Sequence, residues 1–170
     1  MQLFDDVLYP SFRATIRGSY YGIITEDFID EECYHLAKRA ISAFKFPRIS
    51  TDYKTFYAVR QEDGTLKEVD QEEEGAIPHG KFINTLTDAE IEVIIAWMKV
   101  YWCENQISNS DNFDEMYTDV NIKVYSRANA LDKNMKLMAE YRKYARDLEN
   151  RYSRVTSEQK SSLGDINSDE

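Results

Sequence analysis

Residues 87–103, TDAEIEVIIAWMKVYWC, constrain this chain's fold more than any other stretch. In helical register, Ile91, Ile94, Ile95, Met98, Tyr101 and Trp102 fill one face, and Val93, Trp97 and Val100 cover much of the other. A helix that is apolar on nearly every side has to be enclosed by neighbours. Thr87-Asp88-Ala89-Glu90 reads as a capping box, in which the threonine hydroxyl and the glutamate carboxylate each satisfy a free amide of the first turn. The pattern predicts a central helix over about 87–105, with Trp97 and Trp102 in or beside the core. Lys99 interrupts the apolar run, which falls short of the ~20 residues that a membrane span needs. The start, MQLFDDVLYPSF, is acidic where a signal peptide would be basic, so a membrane partner and secretion are not expected.

Such a helix needs a shell. With 170 residues and 42% hydrophobic content, the chain can supply it from one domain with appendages. Leu3, Phe4, Val7, Leu8, Phe12 and Ile16 recur at helical spacing, and Pro10 makes them two short helices or one kinked one. RGSYYG, from Arg17, reads as a loop. Thr25 is placed to cap a helix over about 25–45, whose stripe is Ile29, Cys33, Leu36, Ala37, Ala40 and Phe44, and Phe46-Pro47 stops it. At 53–69 the period becomes two, and Asp63-Gly64 between β-prone runs predicts a hairpin. DQEEEGAIPHG, 70–80, is acidic and turn-rich and is expected to be a mobile loop. After a loop and short helix near Phe113 and Met116, VNIKVY at 120–125 alternates and reads as extended, with Ser126 capping a last helix over 126–154. Leu131, Met138, Tyr141, Ala145, Leu148 and Tyr152 form its near-heptad seam, widened by Met135, Leu137 and Tyr144. The fold expected is mainly α: a helical bundle with a long C-terminal helix and an inserted β-hairpin.

Charge divides the chain unevenly. The total is −10, yet residues 127–154 carry +4, leaving −14 for the remainder. Such asymmetry favours oriented docking. The residues expected to carry an interaction are Arg142, Lys143, Arg146, Arg151 and Arg154, with Tyr141 and Tyr152 beside them. Leu163 and Ile166 are two apolar anchors in a tail, 156–170, that is otherwise too polar to build a core.

Nothing in the pattern points to catalysis. His35 lies within a helical stretch, and His79 in Pro78-His79-Gly80 reads as a turn without a partner to make it a general base. Asp30-Glu31-Glu32 and the Asp88, Glu90, Glu92 set fall near helix starts, where acids suit the dipole. Cys33 and Cys103 read as buried free thiols. Without C-x-x-C, a histidine pair or a phosphate-binding loop, neither a metal nor a cofactor is expected. Tyrosines among the cations of the last helix leave nucleic-acid binding as an alternative, opposed by the acidic remainder.

Three segments carry a resemblance: ITEDFIDEECYHLAKRAISAF, LTDAEIEVIIAWMKVYW, and NIKVYSRANALDKNMKLMAEYRKYARDLENRYSR. Their order, over 24–46 and 82–154, resembles that in small neck proteins of tailed bacteriophages, the head–tail connectors or adaptors. The most specific piece is Tyr125-Ser126-x-Ala128-Asn129-x-Leu131 leading into a helix that ends at Tyr152. The insertion at 53–80 is longer than in simple connectors. The resemblance implies a connector domain over 1–155, a flexible acidic tail over 156–170, and no catalytic residues. It further implies a homo-oligomeric ring in the virion neck, assembled in the host cytoplasm. The portal and other neck or tail proteins would be its partners, and packaged DNA would pass through with at most non-specific contact. Another helical adaptor that binds one partner through 126–170 is the competing reading.

Overall fold

The computed structural model describes residues 2–16, 25–61, 63–113 and 122–164; for 109–113, 122–130 and 155–164 it describes the backbone. The chain is mostly helical, with a small three-stranded antiparallel sheet. In order it forms α1 (Phe4–Val7), α2 (Tyr9–Thr15), α3 (Glu26–Ala43), β1 (Tyr53–Arg60), β2 (Leu66–Val69), β3 (Ile77–Phe82), α4 (Asp88–Phe113) and α5 (Ile122–Gly164). No described helix is long and apolar enough to cross a membrane.

The amino-terminal stripe breaks at Leu8 into α1 and α2, with Pro10 in the first turn of α2, where its missing N–H costs nothing. The loop expected from Arg17 lies outside the described residues. In α3 every residue of the expected stripe is buried, along with Asp30 and Tyr34. Thr25 takes the N-cap position with extended backbone, but its side chain makes no capping bond.

The hairpin forms as expected, with Tyr57 opposite Val69 and Arg60 opposite Leu66, and Gly64 takes a positive φ of 84° in its turn. The expected mobile loop at 70–80 needs correction. Residues 70–76 make tight turns, closed by Glu73 N–H to Asp70 O at 3.1 Å and Ala76 N–H to Glu73 O at 3.1 Å. From Ile77 the chain then becomes β3, pairing with β1 from Tyr53–Phe82 to Ala58–Ile77, in the order β2-β1-β3. Pro78 and Gly80 suggest a turn, yet both suit this edge strand. An edge proline gives up no needed donor, and a Cβ on Gly80 would enter the Phe4 ring.

Phe4 is the hub of the sheet side of the core, 4.5 Å from the Phe82 ring and 5.3 Å from that of Tyr53. The strands are anchored to the amino terminus by Phe82 N–H to Gln2 O at 2.9 Å. On the helical side α4 packs against α3, α5 and α2. Its Val93, Ile94, Ile95, Ala96, Met98, Val100 and Cys103 are buried, while Ile91, Trp97, Tyr101 and Trp102 are partly buried against the same core.

Three boundaries differ from expectation. Helix α4 runs on to Phe113 because 105–113 contains neither proline nor glycine to stop it. Residues 122–125 are helical rather than extended, so Ser126 lies inside α5 and does not cap it. Four alternating residues with no strand to pair have little to hold them extended. Joining the helix formers that follow adds one hydrogen bond per residue. Helix α5 also continues through 156–164, the first part of the expected flexible tail, and ends at Gly164, a residue type that commonly closes helices. Residues 165–170 lie outside the described set, as do Met116 and the rest of 114–121.

Candidate interaction surface

The seam of α5 faces α4. Ala145 and Tyr152 are buried, and Leu131, Met138, Tyr141 and Leu148 are partly buried along the same stripe. Met135 and Tyr144 do not widen it as expected; they are 51% and 42% exposed, because they fall on the flanks of the contact.

Tyr152 is a core residue rather than a docking residue. Its hydroxyl donates to Glu90 Oε1 in a short hydrogen bond and accepts the Arg48 backbone N–H at 2.8 Å. Its ring stands edge-on to Phe44 at 5.4 Å, and the Arg48 guanidinium lies over it at 4.5 Å. Arg48 Nη2 also donates to the Tyr152 carbonyl at 2.7 Å. Burial first, and then the bond to Glu90, push the Tyr152 phenol up to about 12. Glu90 is buried too, and its other oxygen accepts the Thr87 N–H at 3.0 Å. This is half of the expected capping box; the Thr87 hydroxyl donates to the same carboxylate instead of accepting a backbone amide. Burial opposes ionisation of Glu90, but these hydrogen bonds outweigh it and hold the carboxyl below its ordinary value. Tyr141 likewise packs inward, against the Ala96, Val100 and Ala145 cluster.

The five expected cations do not act alike. Arg142 is engaged within the chain, 2.6 Å from Glu104, whose other oxygen pairs with Arg39 of α3 at 2.8 Å. Glu104 thus ties α5 to α3 across the flank of α4. Lys143, Arg151 and Arg154 are exposed off the seam, on the outward face of α5, while Arg146, also exposed, lines a groove with Trp97 and Tyr101 of α4. Leu163 lies in the last turn of α5, and Ile166 lies outside the described residues.

A second charged cluster escaped the sequence pattern. Asp30, 2% exposed, accepts short hydrogen bonds from Arg13 of α2 and Arg60 of β1, and Arg13 also reaches Glu26 at 2.8 Å. Next to it, fully buried His79 pairs through Nδ1 with Asp5 at 2.9 Å and stacks on Phe56. Asp30 falls on the apolar stripe, one turn before Cys33 and two before Ala37; that position was the available signal. His79 was hidden by the misread turn. The cluster joins α1, α2, α3 and the sheet. Burial pushes the thiols up, Cys33 to about 12 and Cys103 to about 11, which leaves both free cysteines protonated and weakly nucleophilic. Among the described residues no group of His, Cys, Asp and Glu could hold a metal ion.

No family model, curated protein or solved structure matches this chain.

Proposed function

We propose that this chain is a virion structural protein of the bacteriophage neck, forming a ring that connects portal and head to the tail. The carrying observation is α5: 43 residues, about 65 Å at 1.5 Å per residue, beside the 26 residues of α4, with its described packing stripe between 131 and 152. Helix α5 is longer than the α4 it packs on, and its outward face bears cations in a chain of net charge −10. A neighbouring copy, or the ring above, offers the acidic surface that such a face complements. Heterologous contacts of this kind close into rings when the rotation permits. The resemblance to neck connectors gives the reading its specific form. Base stacking on α5 draws little support, since among its described tyrosine side chains Tyr141 and Tyr152 pack inward and Tyr144 alone is exposed.

Electron microscopy of the purified chain, alone at rising concentration and with a portal ring, tests the reading. Closed rings with a central opening are expected. A monomer under both conditions, or open filaments, would contradict it.

A further inference from the structure

A groove runs between the end of α3, the middle of α4 and α5. Its floor is aromatic: the Trp97 and Tyr101 rings stack with centroids 6.2 Å apart, and Phe46, 66% exposed, stands at one end. The cavity of about 530 Å³ continues into one of about 440 Å³ that shares Ser42 and Tyr101. Lys45 and Arg146 line the first part and Lys38 the second. Glu149, the acid beside them, is buried and occupied by the Lys45 backbone N–H at 2.8 Å. Such a groove suits a short acidic segment with apolar anchors.

The chain contains such a segment. Residues 163–170, LGDINSDE, place Leu163 and Ile166 three apart among Asp165, Asp169 and Glu170. It is held away from its own groove. Leu163 lies within α5, fourteen residues beyond Glu149, or about 21 Å along the axis. Ile166 follows the last described residue, Gly164, by two positions, a reach of about 7 Å at most. We propose that the groove formed by Phe46, Trp97 and Tyr101 receives the 163–170 segment of another copy, Leu163 and Ile166 seating on the aromatic floor and the three acids meeting Lys38, Lys45 and Arg146. Groove and segment are different surfaces of one subunit, as a closed ring requires, so the inference rests on the ring reading and deepens it.

The test uses the full chain with Trp102→Phe, which leaves Trp97 as its one tryptophan, and with Leu163→Ser and Ile166→Ser, which empties the groove of its own occupant. A synthetic peptide of residues 161–170 should shift Trp97 emission to the blue and saturate. Lys45→Glu with Arg146→Glu should weaken the peptide by about tenfold or more, and raised salt should weaken it too. No shift, or equal binding by a peptide with Asp165→Lys, Asp169→Lys and Glu170→Lys, would overturn the proposal. A second readout needs no variant: where the parent chain assembles, the peptide should lower its particle mass, and assembled particles of unchanged mass at saturating peptide would overturn the proposal. If rings form but the peptide does not bind, the groove assignment falls and the ring reading stands. If the peptide binds a chain that never assembles, the groove assignment stands and the ring reading falls.

Discussion

Helices α4 and α5 lie side by side and are built on opposite principles. Helix α4 is enclosed by α2, α3 and α5, so almost every side chain between Val93 and Cys103 loses water. Among its described side chains, helix α5 meets the domain mainly along one stripe and turns Lys143, Arg151 and Arg154 to solvent, with Arg146 exposed at the edge of the contact. One helix holds the fold together and the other presents it. Substitutions should therefore separate into two classes: those in α4 and its surroundings lower stability, while those on the outward face of α5 alter association.

The largest stability loss is expected in α4. Met98 is fully buried, and Met98→Ala should cost about 2–5 kcal/mol, read as a fall in melting temperature or denaturation midpoint. A change within error would mean that α4 is not the enclosed element. Next comes Gly80→Ala, whose new methyl would enter the Phe4 ring; the forced repacking should cost about 1–3 kcal/mol. A neutral outcome would break the docking of α1 on β3.

Where α4 and α5 meet, the two classes should blur. Tyr152→Phe keeps the ring but strands Glu90 Oε1 and the Arg48 N–H, at a cost of about 1–2 kcal/mol by chemical denaturation. The same network should set a pH window. Glu90 titrates lower when folded, so its contribution is present above its ordinary carboxyl range and is lost as pH falls through the folded value. Tyr152 titrates higher when folded, so its contribution is complete below about 10 and disappears as pH rises toward about 12. Stability should fall at both ends, and Tyr152→Phe should flatten the alkaline limb. The smallest effect belongs to Lys136→Ala, which removes an exposed pair with Asp132 and should leave the denaturation midpoint unchanged within error.

The same contrast explains what could be read from the sequence. Helix α4 was legible because its apolar residues leave no exposed face, and the inward stripes of α3 and α5 followed from period alone. The sheet was half legible: Asp63-Gly64 announces a hairpin, but the third strand is made by Phe4 packing on Gly80, a contact between residues 76 apart that no local pattern carries. The long-range electrostatics were missed for the same reason. Asp30 and Glu90 resemble ordinary acids near helix starts until Arg13, Arg60, Thr87 and Tyr152 surround them. Among the expected interaction residues, Tyr141, Tyr152 and Arg142 are spent inside the chain, because seam spacing and charge do not reveal which side chains find a partner at home.

The central claim is that the outward face of α5 serves assembly and not folding. Lys143→Glu with Arg151→Glu reverses charge on that face without touching the seam, the Glu104 pairs or the aromatic groove. The decisive measurement is sedimentation velocity of this double variant beside the parent, over the same concentrations, with melting temperatures recorded in parallel. We predict an unchanged melting temperature, a parent chain that sediments as a closed oligomer, and a variant that stays smaller at every concentration. A variant that assembles like the parent, or a parent that never exceeds one chain, would contradict the claim.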